Sequence, residues 1–232
     1  MFAGTSGFSY PEWRRSFYPA DLPAREMLPF YARHLGTVEI NQTFRRLPTP
    51  AALRTWTRQT PVSFRFALKA PQRITHQLRL KNAEESLGVF VRAARGLRKK
   101  LGPLLFQLPP YLRCDVTRLT AFLAAMPLDV EAAFEFRHES WFVEEIYETL
   151  RRHRAALCVA DAETLSTPWI ATAPFGYLRL RRSDYDERSV RAWGQRIRSE
   201  RRWKRAYVYF KHEEGGRGPA LARTLIAALG AS

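Results

Sequence analysis

Short apolar segments recur along this chain with period two, each carrying a polar or charged residue toward its carboxyl end. They include Thr37-Val38-Glu39-Ile40-Asn41, Phe64-Arg65-Phe66-Ala67-Leu68-Lys69 and Leu104-Leu105-Phe106-Gln107-Leu108. Phe134-Glu135-Phe136-Arg137, Leu157-Cys158-Val159-Ala160-Asp161 and Tyr177-Leu178-Arg179-Leu180-Arg181 repeat the pattern. Successive strand side chains face opposite sides, so Glu39 shares a face with Asn41, Glu135 with Arg137, and Arg179 with Arg181. The other parity holds Val38, Ile40, Phe66, Leu68, Phe134, Phe136, Leu178 and Leu180, an apolar face suited to lie under helices.

Helical signals fall between these strands. Thr49 is placed to cap a helix over Ala51–Arg58, with Pro50 at its first position. Leu87, Phe90, Val91, Ala94 and Leu101 read as one face of a later helix, and Asp115 precedes another carrying Val116, Leu119, Phe122 and Leu123. Further helices are predicted at Met27–His34, Trp141–His153 and Pro219–Leu229, and one with Val190, Trp193 and Ile197 inward. A short irregular crossing is predicted after Ala156–Asp161. With first and last strands at Phe2–Thr5 and Ala206–Phe210, eight β–α alternations follow without a linker. That predicts an α/β protein: one domain over 1–232, a (β/α)8 TIM-type barrel, a fold that typically needs about 250 residues. A doubly wound open sheet is the runner-up, but Gly4-Thr5-Ser6-Gly7 lacks the dinucleotide spacing. In a barrel, charges at the carboxyl ends of strands converge on one site.

The 232 residues include 38 basic and 22 acidic ones, a formal net charge of +16. Such a field concentrates anions, which favours nucleic acid, nucleotide or phosphorylated partners. Arg-rich solvated helix faces are the alternative explanation, since the charge is a bulk property. Cys114 and Cys158 match no metal or redox spacing, and Cys158 reads as a buried free thiol. No segment approaches the ~18 consecutive apolar residues of a membrane span. With no leader pattern either, a soluble cytoplasmic protein with no membrane partner is expected. Oligomeric state is not legible.

Several ordered motifs resemble the DUF72 (YecE-like) family over essentially the whole chain. They are Gly4-Thr5-Ser6-Gly7-Phe8-Ser9-Tyr10 with Trp13 and Phe17-Tyr18-Pro19, and Val38-Glu39-Ile40-Asn41-Gln42-Thr43-Phe44. Phe66-Ala67-Leu68-Lys69 with Ile74-Thr75-His76, and Gly102-Pro103-Leu104-Leu105-Phe106-Gln107-Leu108-Pro109-Pro110, continue the match. Glu135-Phe136-Arg137-His138 with Ser140-Trp141-Phe142, then Asp161 and Tyr207-Val208-Tyr209-Phe210, complete it. The resemblance implies a TIM-type barrel and supplies no reaction. This chain departs from the usual pattern at Arg45, at Arg181-Arg182-Ser183 and at Lys211-His212. Those changes add positive charge near the mouth.

Glu39, Glu135 and Asp161 are the candidate catalytic carboxylates, Asp161 standing on the parity of Val159. Each must have a partner, because burying an unpaired carboxylate costs several kcal/mol. Lys69, Arg137 and Arg181 are candidate anion clamps. Arg179, one pleat deeper, reads as an ion-pair member. Asn41 and Gln107 either orient a substrate or satisfy strand-end backbone groups. His76, Tyr10, Trp13 and Tyr185 complete the candidate binding set, the aromatics being suited to stacking on a base or sugar. His76 and His138 with the three carboxylates are the mixed N and O set to consider for a divalent metal. No H-x-H or H-x-x-x-H spacing is present, so no metal ligand is assigned and the cofactor stays open. The expectation is a hydrolase- or lyase-type enzyme on an anionic substrate: nucleic acid, or a phosphorylated sugar or nucleotide. Glu39 and Glu135 would serve as acid and base. The alternative is a non-catalytic nucleic-acid-binding or adaptor protein that uses its basic surface.

Overall fold

Eight parallel strands close into a ring: β1 (Phe2–Ser6), β2 (Thr37–Ile40), β3 (Arg65–Lys69), β4 (Leu101–Gln107), β5 (Ala132–Glu135), β6 (Ala156–Ala162), β8 (Phe175–Leu180) and β9 (Arg205–Phe210). The computed structural model describes residues 1–212 and 214–230. Each strand pairs with the next in sequence order. The ring is sealed where β9 meets β1, with Phe2 opposite Tyr207 and Thr5 opposite Phe210. A short strand, β7 (Leu165–Ser166), folds back antiparallel on the end of β6. The single (β/α)8 barrel is therefore the fold.

The helices run outside, α1 (Met27–His34) after β1, α2 (Pro50–Gln59) after β2, α3 (Glu84–Ala94) after β3 and α4 (Val116–Ala124) after β4. Then come α5 (Glu144–Arg152), α6 (Glu187–Ser199) after β8 and α7 (Arg217–Gly230) after β9. No α-helix connects β6 to β8, which matches the predicted irregular crossing. Thr49 Oγ1 accepts from the Ala52 amide and Asp115 Oδ1 from the Arg118 amide, the two caps expected from sequence. Leu101 is a correction: it begins β4 instead of continuing α3. The α-helix stops at Ala94, and the following turn is broken at Arg98, whose φ of 53° no helix accommodates. Trp141 likewise closes a 3-10 turn (Glu139–Trp141) before α5 starts.

Two apolar cores result. Val38, Ile40, Phe66, Leu68, Phe134, Phe136, Leu178 and Leu180 all pack between strands and helices. Inside the ring, Ala67, Ala133, Ala156 and Cys158 leave room for Phe175, Tyr177, Tyr207 and Tyr209. Large side chains from one side thus fill space left by small ones on the other. Phe2 stacks on Tyr207 at 4.9 Å near the amino ends of the strands. Cys114 and Cys158 are free, and Cys158 is buried.

β1 and β2 approach so closely that a Cβ on Gly4 would lie 2.0 Å from the Thr37 carbonyl oxygen. Gly4→Ala is expected to force these backbones apart and cost about 1–3 kcal/mol. Thermal unfolding checks it, and an unchanged Tm would show that the pair can give way.

Candidate functional site

The barrel interior turns from aromatic to charged toward the carboxyl ends of its strands. There β2 delivers Glu39, β5 delivers Glu135 and β8 delivers Arg179; the two carboxylates are 0% exposed and Arg179 2%. Arg179 bridges them, Nη2 donating to Glu39 Oε1 at 2.8 Å and Nη1 to Glu135 Oε2 at 2.5 Å. Glu39 also accepts from Ser6 Oγ at 2.7 Å and from the Tyr177 hydroxyl at 2.6 Å. Glu135 accepts from Gln107 Nε2 at 2.8 Å, Arg137 Nε at 3.2 Å and Arg181 Nη2 at 3.0 Å to both oxygens.

Burial disfavours the Arg179 charge, but Glu39 and Glu135 outweigh it and raise its pKa. Burial, and then the neighbouring Glu39, raise that of Tyr177, so this phenol stays protonated as a donor. The carboxylates are crowded with donors. They hold the cations in place. Arg179 Nε, buried, has no hydrogen-bond partner among the described residues.

Four cations face these two carboxylates, and the outer three, Lys69, Arg137 and Arg181, stand toward the opening. Lys69 Nζ donates to Gln107 Oε1 at 2.8 Å and sits 4.3 Å from the Phe44 ring centroid. Burial, followed by repulsion from Arg179, lowers its pKa to about 8 against the pull of Glu39 and Glu135. His76 packs edge-on against Phe44 and meets Thr75 Oγ1 at 2.9 Å through Nδ1. Burial, then Lys69 and Arg137, hold its pKa below the usual histidine value.

Other sequence candidates lie elsewhere. Asp161 does not join the charged cluster: its parity carries it to the helix side, where it accepts from the Tyr185 hydroxyl at 2.6 Å. Tyr185 is 5% exposed and Trp13 1%, so neither offers a face for stacking. Tyr10 is half-buried against Trp13 and donates to the Ser6 carbonyl. Asn41 follows β2 at the entrance to a 3-10 turn (Gln42–Phe44). His138 Nδ1 accepts from the Ser140 amide, a helix-capping contact. Among the described residues, no group of three or more His, Cys, Asp and Glu side chains is arranged to hold a metal ion. Among them, too, no helix is long and apolar enough to cross a membrane. Sequence reasoning missed Ser6 and Tyr177, uncharged donors that complete the Glu39 environment. Tyr177 shares a face with Arg179, and that parity was the available signal.

The profile of the family described as "Protein of unknown function DUF72" matches residues 2–232. The chain is 30% identical over 154 residues to the UPF0759 protein YecE of Escherichia coli K12, covering 66% of this chain and 54% of that one. It is also 30% identical over 141 residues to the UPF0759 protein YunF of Bacillus subtilis, covering 57% of this chain and 50% of the relative. The chain thus spans about half the length of the curated relatives it matches. A DUF72 family protein from Thermotoga maritima superposes with a TM-score of 0.87 at 28% identity, covering 98% of both chains. One from Enterococcus faecalis, at 20% identity and a TM-score of 0.81, covers 100% of this chain and 96% of its own, and shares the fold. Barrel, motifs and profile agree, and the chain belongs to the DUF72 family of proteins of unknown function.

Proposed function

We propose that this protein is an enzyme acting on an anionic substrate held at the carboxyl end of the barrel. Arg137 and Arg181 bind the anion, Lys69 exchanges the proton, and Glu39 and Glu135 position the cations. The observation that carries this reading is the surplus of charge: four cations against two carboxylates, with the Lys69 ammonium poised near neutrality. A lysine tuned close to working pH serves proton transfer better than one at its ordinary value. Hydrolase- or lyase-type chemistry fits such a group beside a bound anion.

A second reading has its own observation. On the outer helices, a recess of about 880 Å³ between α2 and the Arg95–Lys100 turn is floored by Leu53, Gly96 and Leu97. Arg54, Arg58, Arg92, Arg98, Lys99 and Lys100 surround it. This surface suits a polyanion and favours a non-catalytic nucleic-acid-binding role.

Titration with a labelled single-stranded oligonucleotide and a salt series separates the two. The first reading expects Arg137→Ala to weaken binding tenfold or more while Arg54→Ala/Arg92→Ala binds like the wild type. The second expects the reverse, with log affinity falling by about 0.7 per log unit of salt for each phosphate contact. Oligonucleotide binding that ignores both changes counts against both readings.

A further inference from the structure

Beside the mouth, a recess of about 330 Å³ opens between the exits of β8 and β9 and the start of α7. It is lined by Arg181, Ser183, Lys211, His212, Glu214 and Arg217. We propose that this recess binds the phosphoryl group of a phosphomonoester substrate. The proposal rests on the mouth taking an anionic substrate and names its chemical class; Arg181 belongs to both places.

Two buried nitrogens on lining side chains, Arg181 Nε and His212 Nδ1, have no hydrogen-bond partner among the described residues. The Arg181 side chain is 13% exposed and its Nη2 is engaged by Glu135. Its Nε can only donate, so it calls for an acceptor that the described residues do not supply. His212 Nε2 lies 2.6 Å from the Arg182 carbonyl and must donate to it, which leaves a lone pair on Nδ1. An Nδ1 lone pair and an Nε donor on two lining side chains suit a ligand that accepts and also shares a proton. A phosphomonoester does both, because its second ionisation falls near pH 6. A carboxylate, with its lower pKa, shares a proton less readily.

The charges agree. Among the described lining residues, Arg181, Lys211 and Arg217 outnumber the acid, Glu214. They come from three chain segments, so they approach an anion from different sides, as a tetrahedral group requires. The start of α7 adds its positive dipole end. Its seat depends on glycine: a Cβ on Gly216, whose φ is 73°, would lie 2.3 Å from Ser16 Oγ. One on Gly218 would lie 2.9 Å from the His212 carbonyl.

Burial and then Arg217 hold the His212 imidazole below its ordinary pKa, against the raising effects of the Arg182 carbonyl and of Glu163. Glu163 itself accepts from the Ser183 amide and hydroxyl, Arg217 Nη2 donates to the Tyr185 carbonyl, and the Tyr185 ring packs on His212. Burial thus favours the neutral imidazole in the free protein, and the monoanionic form of the phosphomonoester, which still carries its second proton, supplies the shared one.

The test is a titration of ¹⁵N-histidine-labelled protein with inorganic phosphate and with methyl phosphate at pH 7, His212→Gln identifying the resonances. Both probes are expected to move the His212 Nδ1 resonance saturably. Arg217→Ala and Lys211→Ala should each raise the apparent Kd tenfold or more. Arg223→Ala, the same charge change further along α7, should not. An unmoved His212 resonance overturns the proposal, as does a Kd that depends equally on Arg223 and Arg217. The fate of the mouth is read separately, from the chemistry of Lys69, so either reading can fail alone.

Discussion

Arg179→Met is expected to lower stability by about 3–5 kcal/mol, the usual result of removing one partner from a buried ion pair. For a domain of this size that is a fall of roughly 6–20 °C in Tm. The reason lies in what stays behind. Glu135 keeps Arg181, Arg137 and Gln107, whereas Glu39 keeps two hydroxyl donors and no ion-pair contact, with Lys69 acting on it only at longer range. A carboxylate that is 0% exposed then has only neutral hydrogen-bond partners. Adding Glu39→Gln to Arg179→Met should return much of the loss, because the orphaned charge is gone. Chemical denaturation of the two single variants and the double variant reads the coupling directly. A single-variant loss below about 1 kcal/mol would mean that water already screens the network.

Lys69 is expected to react with amine-seeking anionic aldehydes far faster than the exposed lysines. At pH 8 about half of an amine with pKa near 8 is neutral, against less than about 1% of an ordinary lysine, roughly a 100-fold excess. Pyridoxal 5′-phosphate is a suitable probe: the neutral amine adds to its aldehyde, water leaves, and borohydride reduces the imine to a stable amine. Peptide mass spectrometry after a short pulse should place most of the label on Lys69. Its labelling rate should rise to a midpoint near pH 8 and flatten, and exceed that of the exposed Lys81 and Lys204. Equal labelling of all three would remove Lys69 from the proton-exchanging role. The sign for stability follows from the same shift. Folding depresses this pKa, so the charged lysine costs stability below about pH 8, and the cost is relieved as pH rises from there toward the unfolded value near 10.4. Lys69→Met should flatten that alkaline rise.

Strand parity made most of the barrel legible, because burial on two faces leaves each strand residue only an inward or an outward place. Glu39, Glu135, Arg179 and Arg181 all follow from it. Asp161 shows where charge alone misleads: it sits at a strand end like the others, yet its parity with Val159 turns it to the helices. Ser6 and Tyr177 carried no charge to draw attention, although their faces were correct. Leu101 fitted the apolar stripe of the preceding helix, and only the backbone reversal at Arg98 carries it into β4. The phosphate recess was out of reach because its lining comes from two strand exits and a helix start, and their proximity is a product of ring closure.

The pairing of β1 with β9 has a consequence for synthesis on the ribosome. Until Arg205–Phe210 leaves the exit tunnel, β1 presents an unpaired edge and the sheet is an open ribbon. Nearly the whole barrel must wait in that state, with a hydrophobic inner face and two exposed borders prone to joining other nascent chains. Closure is a single late event of very long sequence separation, which slows folding. Moving the termini by permutation to the helix-free link between β6 and β8 would make β6 and β8 the last pair to meet, and would transfer that vulnerable border to a different side of the ring.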